Sequence, residues 1–173
     1  MSVKLENNHT DLEKKLLLCS INDVPEFSLN GINTIGKIVD IYDGDTCKII
    51  LIYENNLLLF NCRLKNVDTP EMKPLKTKIN RDVEIQNAIK CRNKLIQIST
   101  NCNIDLDDKL TKKELQSILL DNNKILKIKC YEFDKYGRLL VELFFNDKSI
   151  NDILIEENFA KRYDGGKKEE FIY

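Results

Sequence analysis

The chain has 173 residues, of which 42% are hydrophobic and 32% charged, and its formal net charge at pH 7 is −1. This length and composition predict one soluble domain with a sizeable core. No apolar run approaches the roughly 20 residues that a membrane span needs. The nearly neutral charge excludes a broadly basic surface, so tight nonspecific binding of nucleic acid is not predicted from composition.

The cysteines and the single histidine exclude several classes of site. None of the six cysteines forms a C-x-x-C pair, and the only histidine is His9, so neither a zinc site nor a histidine-dependent hydrolase is predicted. The apolar run at residues 16–19 is too short for a signal peptide. We therefore expect an intracellular protein with reduced thiols, no signal peptide and no transmembrane segment.

Residues 1–35 are mixed and polar, and we interpret them as an N-terminal extension. One candidate helix runs from Asp11 to about Cys19 and is a candidate to pack on the domain that follows. The domain itself is predicted to span residues 36–173. It begins with apolar, β-branched runs at 36–42, 46–53 and 57–64, separated by turn-forming residues, which predict three antiparallel strands in a meander.

After Pro70 the apolar spacing becomes helical. It predicts one helix from about Asp82 to Ile98. The capping-box pattern of Thr111 and Glu114 marks a second helix that ends near Leu120. Runs at 124–133 and 138–145 then predict two more strands, and a helix begins at about Ser149. The elements together predict an α+β, mainly β, fold: a five-stranded OB-fold barrel with two to three helices.

Three short polar islands interrupt this strand-like sequence. They are residues 43–46 (Asp-Gly-Asp-Thr), 63–71 (Arg-Leu-Lys-Asn-Val-Asp-Thr-Pro-Glu) and 134–138 (Asp-Lys-Tyr-Gly-Arg). They offer carboxylates for a hard cation, a further carboxylate for a water molecule and two guanidiniums for an anion, which suits phosphodiester hydrolysis. Each island alone is also ordinary turn chemistry, and the combination favours the site.

In order and content the islands resemble those of the thermonuclease (staphylococcal nuclease-like) family, over residues from about 36 to 168. The resemblance implies an SNase-like OB-fold and a calcium-dependent nuclease. It further implies hydrolysis of DNA and RNA with little sequence preference and with 3′-phosphate products. We expect DNA and RNA as partners, no membrane partner, a monomer and no obligate protein partner.

The predicted metal ligands are Asp45 and Asp68, which stand at the ends of different strands, and by resemblance the backbone carbonyl of Thr69. Every candidate ligand atom is oxygen, so calcium is preferred over zinc, with magnesium and manganese as alternatives. Glu71 is predicted to act as the general base or to position the attacking water.

Arg63 and Arg138 are the predicted catalytic arginines. Each adjoins a strand end and can present a planar fork to the phosphate on which negative charge develops. By resemblance, Lys135 and Tyr136 bind a neighbouring phosphate, and Tyr163 contacts a sugar or base. The simpler alternative for these three residues is turn formation and coverage of a barrel end.

Two basic clusters, residues 73–81 (Lys73, Lys76, Lys78, Arg81) and 161–168 (Lys161, Arg162, Lys167, Lys168), could follow a phosphate chain or form an ordinary solvated surface. Relative to the family, the chain carries an insertion near 99–123 and stops before the C-terminal helix of some relatives, so the N-terminal extension is a candidate to cover that surface. The alternative function is a catalytically weak or inactive OB-fold module that binds nucleic acid or protein.

Overall fold

The computed structural model describes residues 10–100, 102–122, 124–166 and 171. In chain order its strands are β1 (Asn33–Ile41), β2 (Thr46–Tyr53), β3 (Asn56–Leu64), β4 (Val67–Asp68), β5 (Leu126–Phe133), β6 (Leu139–Phe145), β7 (Lys148–Ser149) and β8 (Lys161–Arg162). The helices are α1 (Asp11–Leu18), α2 (Arg81–Ser99), α3 (Lys112–Asn122) and α4 (Ile150–Glu156).

Five strands form a closed barrel. They pair antiparallel in the order β3-β2-β1-β5-β6, and a parallel pairing between β3 and β6 completes the ring. Closure pairs the edges that an open sheet would expose. The predicted fold class is therefore confirmed. Three helices accompany the barrel, as predicted, while α1 belongs to the N-terminal extension.

Two tight turns connect antiparallel neighbours in the barrel, β2 with β3 and β5 with β6. The β2–β3 turn has left-handed backbone at Glu54 and Asn55, with φ of 48° and 62°, as two-residue hairpins require. The β5–β6 turn closes with a hydrogen bond of 2.8 Å from the Asp134 N–H to the Arg138 carbonyl, and Gly137 supplies a φ of +76°. Residues of all three polar islands line one cleft.

The core is formed by the inward side chains of the strands and by one face of α2. The largest fully buried members include Ile38, Ile49, Leu51, Leu64, Leu95, Ile96, Leu126, Ile128, Leu139 and Leu143. All six cysteines are free thiols. No helix within the described ranges is both long enough and apolar enough to cross a membrane.

The N-terminal extension contacts the barrel through a segment other than its helix. α1 has the predicted position and a complete capping box at Thr10, yet none of its residues is buried. Leu29 is instead fully buried in the core, and the ring of Phe27 lies 6.0 Å from that of Tyr53. The expected packing of the extension is therefore provided by these two residues rather than by α1.

The segment near 99–123, which we predicted to be an insertion, contacts α2. The Asn93 Nδ2 group donates to the carbonyls of Asp105, Leu106 and Asp108 at 2.9–3.1 Å. The predicted capping box is present at α3, where the Thr111 N–H donates to Glu114 at 2.7 Å. α3 also buries Leu115 and Leu119, which join the hydrophobic core.

Candidate functional site

Residues of the three polar islands meet and line a cleft of about 680 Å³. The first island is the β1–β2 turn, the second runs from the end of β3 through β4, and the third is the β5–β6 turn. Six of the predicted site residues line this cleft: Arg63, Glu71, Lys135, Tyr136, Arg138 and Tyr163. Residues more than 90 positions apart in sequence are thereby brought into one site.

Arg63 bridges the two predicted metal-binding carboxylates. Its Nη2 atom lies 2.8 Å from Asp45 Oδ2 and 3.6 Å from Asp68 Oδ1, and it donates to the Val67 carbonyl at 3.2 Å. Asp45 and Asp68 are only 3% and 4% exposed. Two buried carboxylates next to each other require a compensating positive charge, and Arg63 supplies one.

A third acid, Asp43, adds negative charge to this pair. Burial and the neighbouring Asp43 raise the pKa of Asp45 to about 7, although Arg63 acts in the opposite direction. Burial also raises the pKa of Asp43 itself. Three buried carboxylates with one guanidinium therefore leave an excess of negative charge when ionised.

The first island is packed tightly against α2. A Cβ atom on Gly44 would overlap Cys91 Sγ and would lie 3.0 Å from the Thr69 methyl group. Only glycine therefore fits between Asp43 and Asp45 at this position. The contact also places Thr69, which is 3% exposed, directly against the turn that carries the acids.

Arg138 is held in the cleft by Asp134. Its Nε and Nη2 atoms lie 2.8 and 2.7 Å from Asp134 Oδ2, and its Nη1 donates to Thr46 Oγ1 at 3.4 Å. Burial raises the pKa of Asp134, but hydrogen bonds from Arg138 and Tyr136 outweigh this effect and lower it. Thr46 in turn donates to Asp45 at 2.9 Å, so a continuous polar chain joins the first and third islands.

The backbone N–H groups of Glu71 and Tyr163 each donate a hydrogen bond that holds the surrounding segment in place. The Glu71 N–H donates to Glu84 Oε1 at 3.3 Å. The Tyr163 N–H donates to the Asn66 carbonyl at 3.0 Å, beside the pairing of β4 with β8. The Tyr163 hydroxyl donates to the Gly166 carbonyl at 2.9 Å.

The first basic cluster consists of two side chains that contact other protein groups and two that are exposed. Lys78 Nζ forms an ion pair of 2.5 Å with the buried Glu84, and Arg81 Nε donates to the Pro74 carbonyl at 3.4 Å. Lys73 and Lys76 are exposed. In the second cluster Arg162 pairs with Asp152 at 3.2 Å, while Lys167, Lys168 and also His9 lie outside the described residues.

The donor atoms of the site fit a hard cation. Asp43, Asp45 and Asp68 offer carboxylate oxygens within a buried, negatively charged region, and the adjacent Thr69 offers a backbone carbonyl. Calcium prefers all-oxygen sites of this kind. Within residues 10–100, 102–122, 124–166 and 171, no three His, Cys, Asp or Glu side chains are already arranged as a metal centre. Arg63 lies between two of the acids instead.

Five residues that line the cleft were not predicted as site residues from the sequence: Tyr42, Asp43, Thr46, Asp134 and Leu140. Asp43, Thr46 and Asp134 belong to the polar islands, so their positions gave a signal, but their turn-forming character explained them equally well. Tyr42 directly precedes the first island and is the last residue of the predicted first strand, 36–42. Its side chain faces the cleft and is 52% exposed.

A sequence model of the staphylococcal nuclease homologue (SNase) family matches residues 61–171, which is 111 of the 173 residues. The chain belongs to the staphylococcal nuclease homologue family. The family match includes the second and third islands and Tyr163, and it begins after the first island. No curated protein matches the chain. Membership in the SNase family agrees with the barrel and supports a nuclease-like domain.

Proposed function

We propose that this protein is a calcium-dependent phosphodiesterase that hydrolyses DNA and RNA with little sequence preference and leaves 3′-phosphates. One observation carries the proposal: two arginines, a glutamate and the buried Asp43 come from three separate islands and line a single cleft. One of these arginines, Arg63, also pairs with the buried Asp45 and Asp68. A structural role for each residue alone does not account for this convergence.

The two arginines would stabilise the charge that develops during hydrolysis. Among the described residues, every contact of the Arg63 guanidinium runs through Nη2, so Nε and Nη1 are available as donors. Arg138 is already oriented by Asp134 at the other side of the cleft. Donors that are oriented in advance toward the nonbridging oxygens contribute most to the rate of such reactions.

Glu71 would take or orient the proton of the attacking water, which adds to phosphorus in line with the leaving 5′ oxygen. The P–O5′ bond breaks, the 5′ oxygen takes a proton from solvent and leaves as a hydroxyl group, and the phosphate stays on the 3′ carbon. Glu71 returns its proton to solvent. A calcium ion held by Asp45, Asp68 and the Thr69 carbonyl would supply positive charge and Lewis acidity to the phosphodiester.

The low sequence preference follows from the kind of groups that line the cleft. Arginine and lysine side chains contact phosphate, which is the same at every position of a nucleic acid. Lys135 and Tyr136 extend the cleft on one side, where the Tyr136 ring is 72% exposed. An exposed aromatic ring can stack on any base and therefore adds affinity without sequence readout.

The second candidate function is a binding module without catalysis. The observation that favours it is the position of Arg63, whose Nη2 occupies the space between Asp45 and Asp68. A cation that binds there must compete with this guanidinium for both carboxylates. If it fails to do so, the cleft would bind a phosphate chain without cleaving it.

Cleavage assays distinguish the two functions. Supercoiled plasmid and single-stranded RNA are incubated with calcium, with magnesium and with EDTA, using wild type, Glu71→Gln and Lys127→Ala. Lys127 is the control because it is an exposed cation, paired with Asp147 outside the cleft. Calcium-dependent cleavage that falls sharply in Glu71→Gln and is retained in Lys127→Ala supports the enzyme. Folded wild type that cleaves neither substrate with any metal would rule it out.

A further inference from the structure

Glu84 is a buried carboxylate that lies outside the cleft and contacts the segment that carries Glu71. It occupies the first turn of α2 and is 1% exposed. Its Oε1 atom accepts the Glu71 N–H at 3.3 Å, and its Oε2 atom lies 2.5 Å from Lys78 Nζ. One side chain therefore holds both ends of the loop at residues 71–78.

This loop needs such a restraint. It has no regular helix or strand between Asp68, where β4 ends, and Arg81, where α2 begins. Glu71 itself is exposed, and so are most of the residues that follow it. A catalytic side chain on an irregular segment loses its alignment unless surrounding groups fix the backbone, because small displacements are costly for reaction rates.

A burial argument also indicates that Glu84 has a specific role. An ionised carboxylate removed from water is costly unless charged and hydrogen-bonding partners compensate it. Lys78 and the Glu71 N–H provide this compensation, and the position in the first turn of a helix favours a negative charge. An exposed acid such as Asp82 would satisfy the helix equally well. The burial is therefore explained by the two loop contacts.

We propose that Glu84 is a positioning residue that fixes the backbone of Glu71 and thereby aligns its carboxylate in the cleft. The proposal rests on the proposed function, in which Glu71 acts on the attacking water. Glu84 does not touch the substrate. Its effect on the reaction passes through Glu71, so removing it lowers kcat and leaves substrate affinity unchanged.

A double-mutant cycle with Glu71 tests this coupling. We expect Glu84→Ala to lower kcat by about 10- to 100-fold with KM changed less than about twofold, measured on a labelled single-stranded oligonucleotide with calcium. In a Glu71→Gln background the same substitution should reduce kcat less than about twofold, because its route of action is already removed. An equal loss in both backgrounds would overturn the proposal.

Two further variants separate positioning from loss of stability. Glu84→Gln retains an amide oxygen that can accept the Glu71 N–H, so it should restore kcat to within about threefold of wild type, even if the lost ion pair lowers the melting temperature. Asp82→Ala removes another acid from the first turn of α2 without touching the loop, and kcat should not change. A Gln variant as slow as the Ala variant, with both folded, would contradict the proposal.

Amide hydrogen exchange provides a measurement that is independent of activity. The Glu71 amide should exchange about tenfold faster in Glu84→Ala than in wild type, the factor expected for one lost charge-assisted hydrogen bond. If wild type shows no cleavage but this acceleration is seen, the proposed function fails while the tether to Glu71 stands. Unchanged exchange at Glu71 would show that no tether exists.

Discussion

Arg63 Nη2 lies 2.8 Å from Asp45 Oδ2, so the guanidinium of Arg63 is an ion-pair partner of the predicted metal ligand Asp45. The same nitrogen lies 3.6 Å from Asp68 Oδ1. A guanidinium in this place stabilises two buried acids while no cation is bound. A cation that binds here shares these carboxylates with the guanidinium. Because a ligand of the folded protein raises the free energy of unfolding, cation binding can be measured as a change in protein stability.

Calcium should stabilise wild type and not Asp45→Asn. A ligand at 100 times its Kd contributes about 2.7 kcal/mol to the free energy of unfolding, so the melting temperature should rise by several degrees. Thermal melts with increasing calcium provide the measurement. Asp152→Asn is the control, because Asp152 is a surface acid paired with Arg162, and it should respond as wild type does. An equal calcium response in Asp45→Asn would remove Asp45 from the proposed ligand set.

Without metal, the protein should lose stability as the pH rises from about 5 to about 8. Burial and Asp43 raise the pKa of Asp45 to about 7, well above the value in an unfolded chain. Between these two pKa values the folded state holds more protons than the unfolded state, so raising the pH favours unfolding. Urea unfolding in EDTA at both pH values measures the effect.

Asp45→Asn should reduce this loss of stability, because it removes the group that must ionise. Asp152→Asn should keep the wild-type difference between the two pH values. A metal-free wild type that becomes more stable toward about pH 8 would show that the sign of the Asp45 pKa shift is wrong.

Arg63→Ala and Arg138→Ala should each lower kcat by about 100-fold or more, since each removes a donor to the charge that develops on the phosphate. Single-turnover cleavage of a labelled oligonucleotide measures the loss. Arg63→Ala should in addition lower the metal-free melting temperature, because Asp45 and Asp68 lose their compensating charge. Lys127→Ala, which removes an exposed cation outside the cleft, should keep the wild-type rate. Near-wild-type rates in either arginine variant would refute a catalytic role for that arginine.

The N-terminal extension should divide into a dispensable part and an essential part. Removing residues 1–18 should leave the melting temperature unchanged, since α1 buries nothing. Removing residues 1–30 should lower it clearly, because this deletion includes Leu29, which is fully buried. Leu29→Ala in the full chain should reproduce most of that loss, about 2–5 kcal/mol. Equal melting of all three variants and wild type would contradict this division.

The strands and helices could be predicted because their signals are local. The capping box of Thr111 and Glu114 predicted the start of α3, and the structure has both of its hydrogen bonds. Alternating apolar residues predicted β5, which has the matching burial pattern, and the turn residues predicted both hairpins. Each of these features depends on side chains only a few positions apart, whose spacing in a helix or strand is constant.

The sequence by itself therefore determined the barrel, its helices and the three polar islands. Only the tertiary structure decided which charges pair within the cleft that the islands line. The contact of Arg63 with Asp45, the burial of Asp43, the restraint of Glu71 by Glu84 and the exposure of α1 all join or separate segments that are distant in sequence. Such pairings follow from packing and from the cost of burying a charge, and neither is visible in the local spacing of residues.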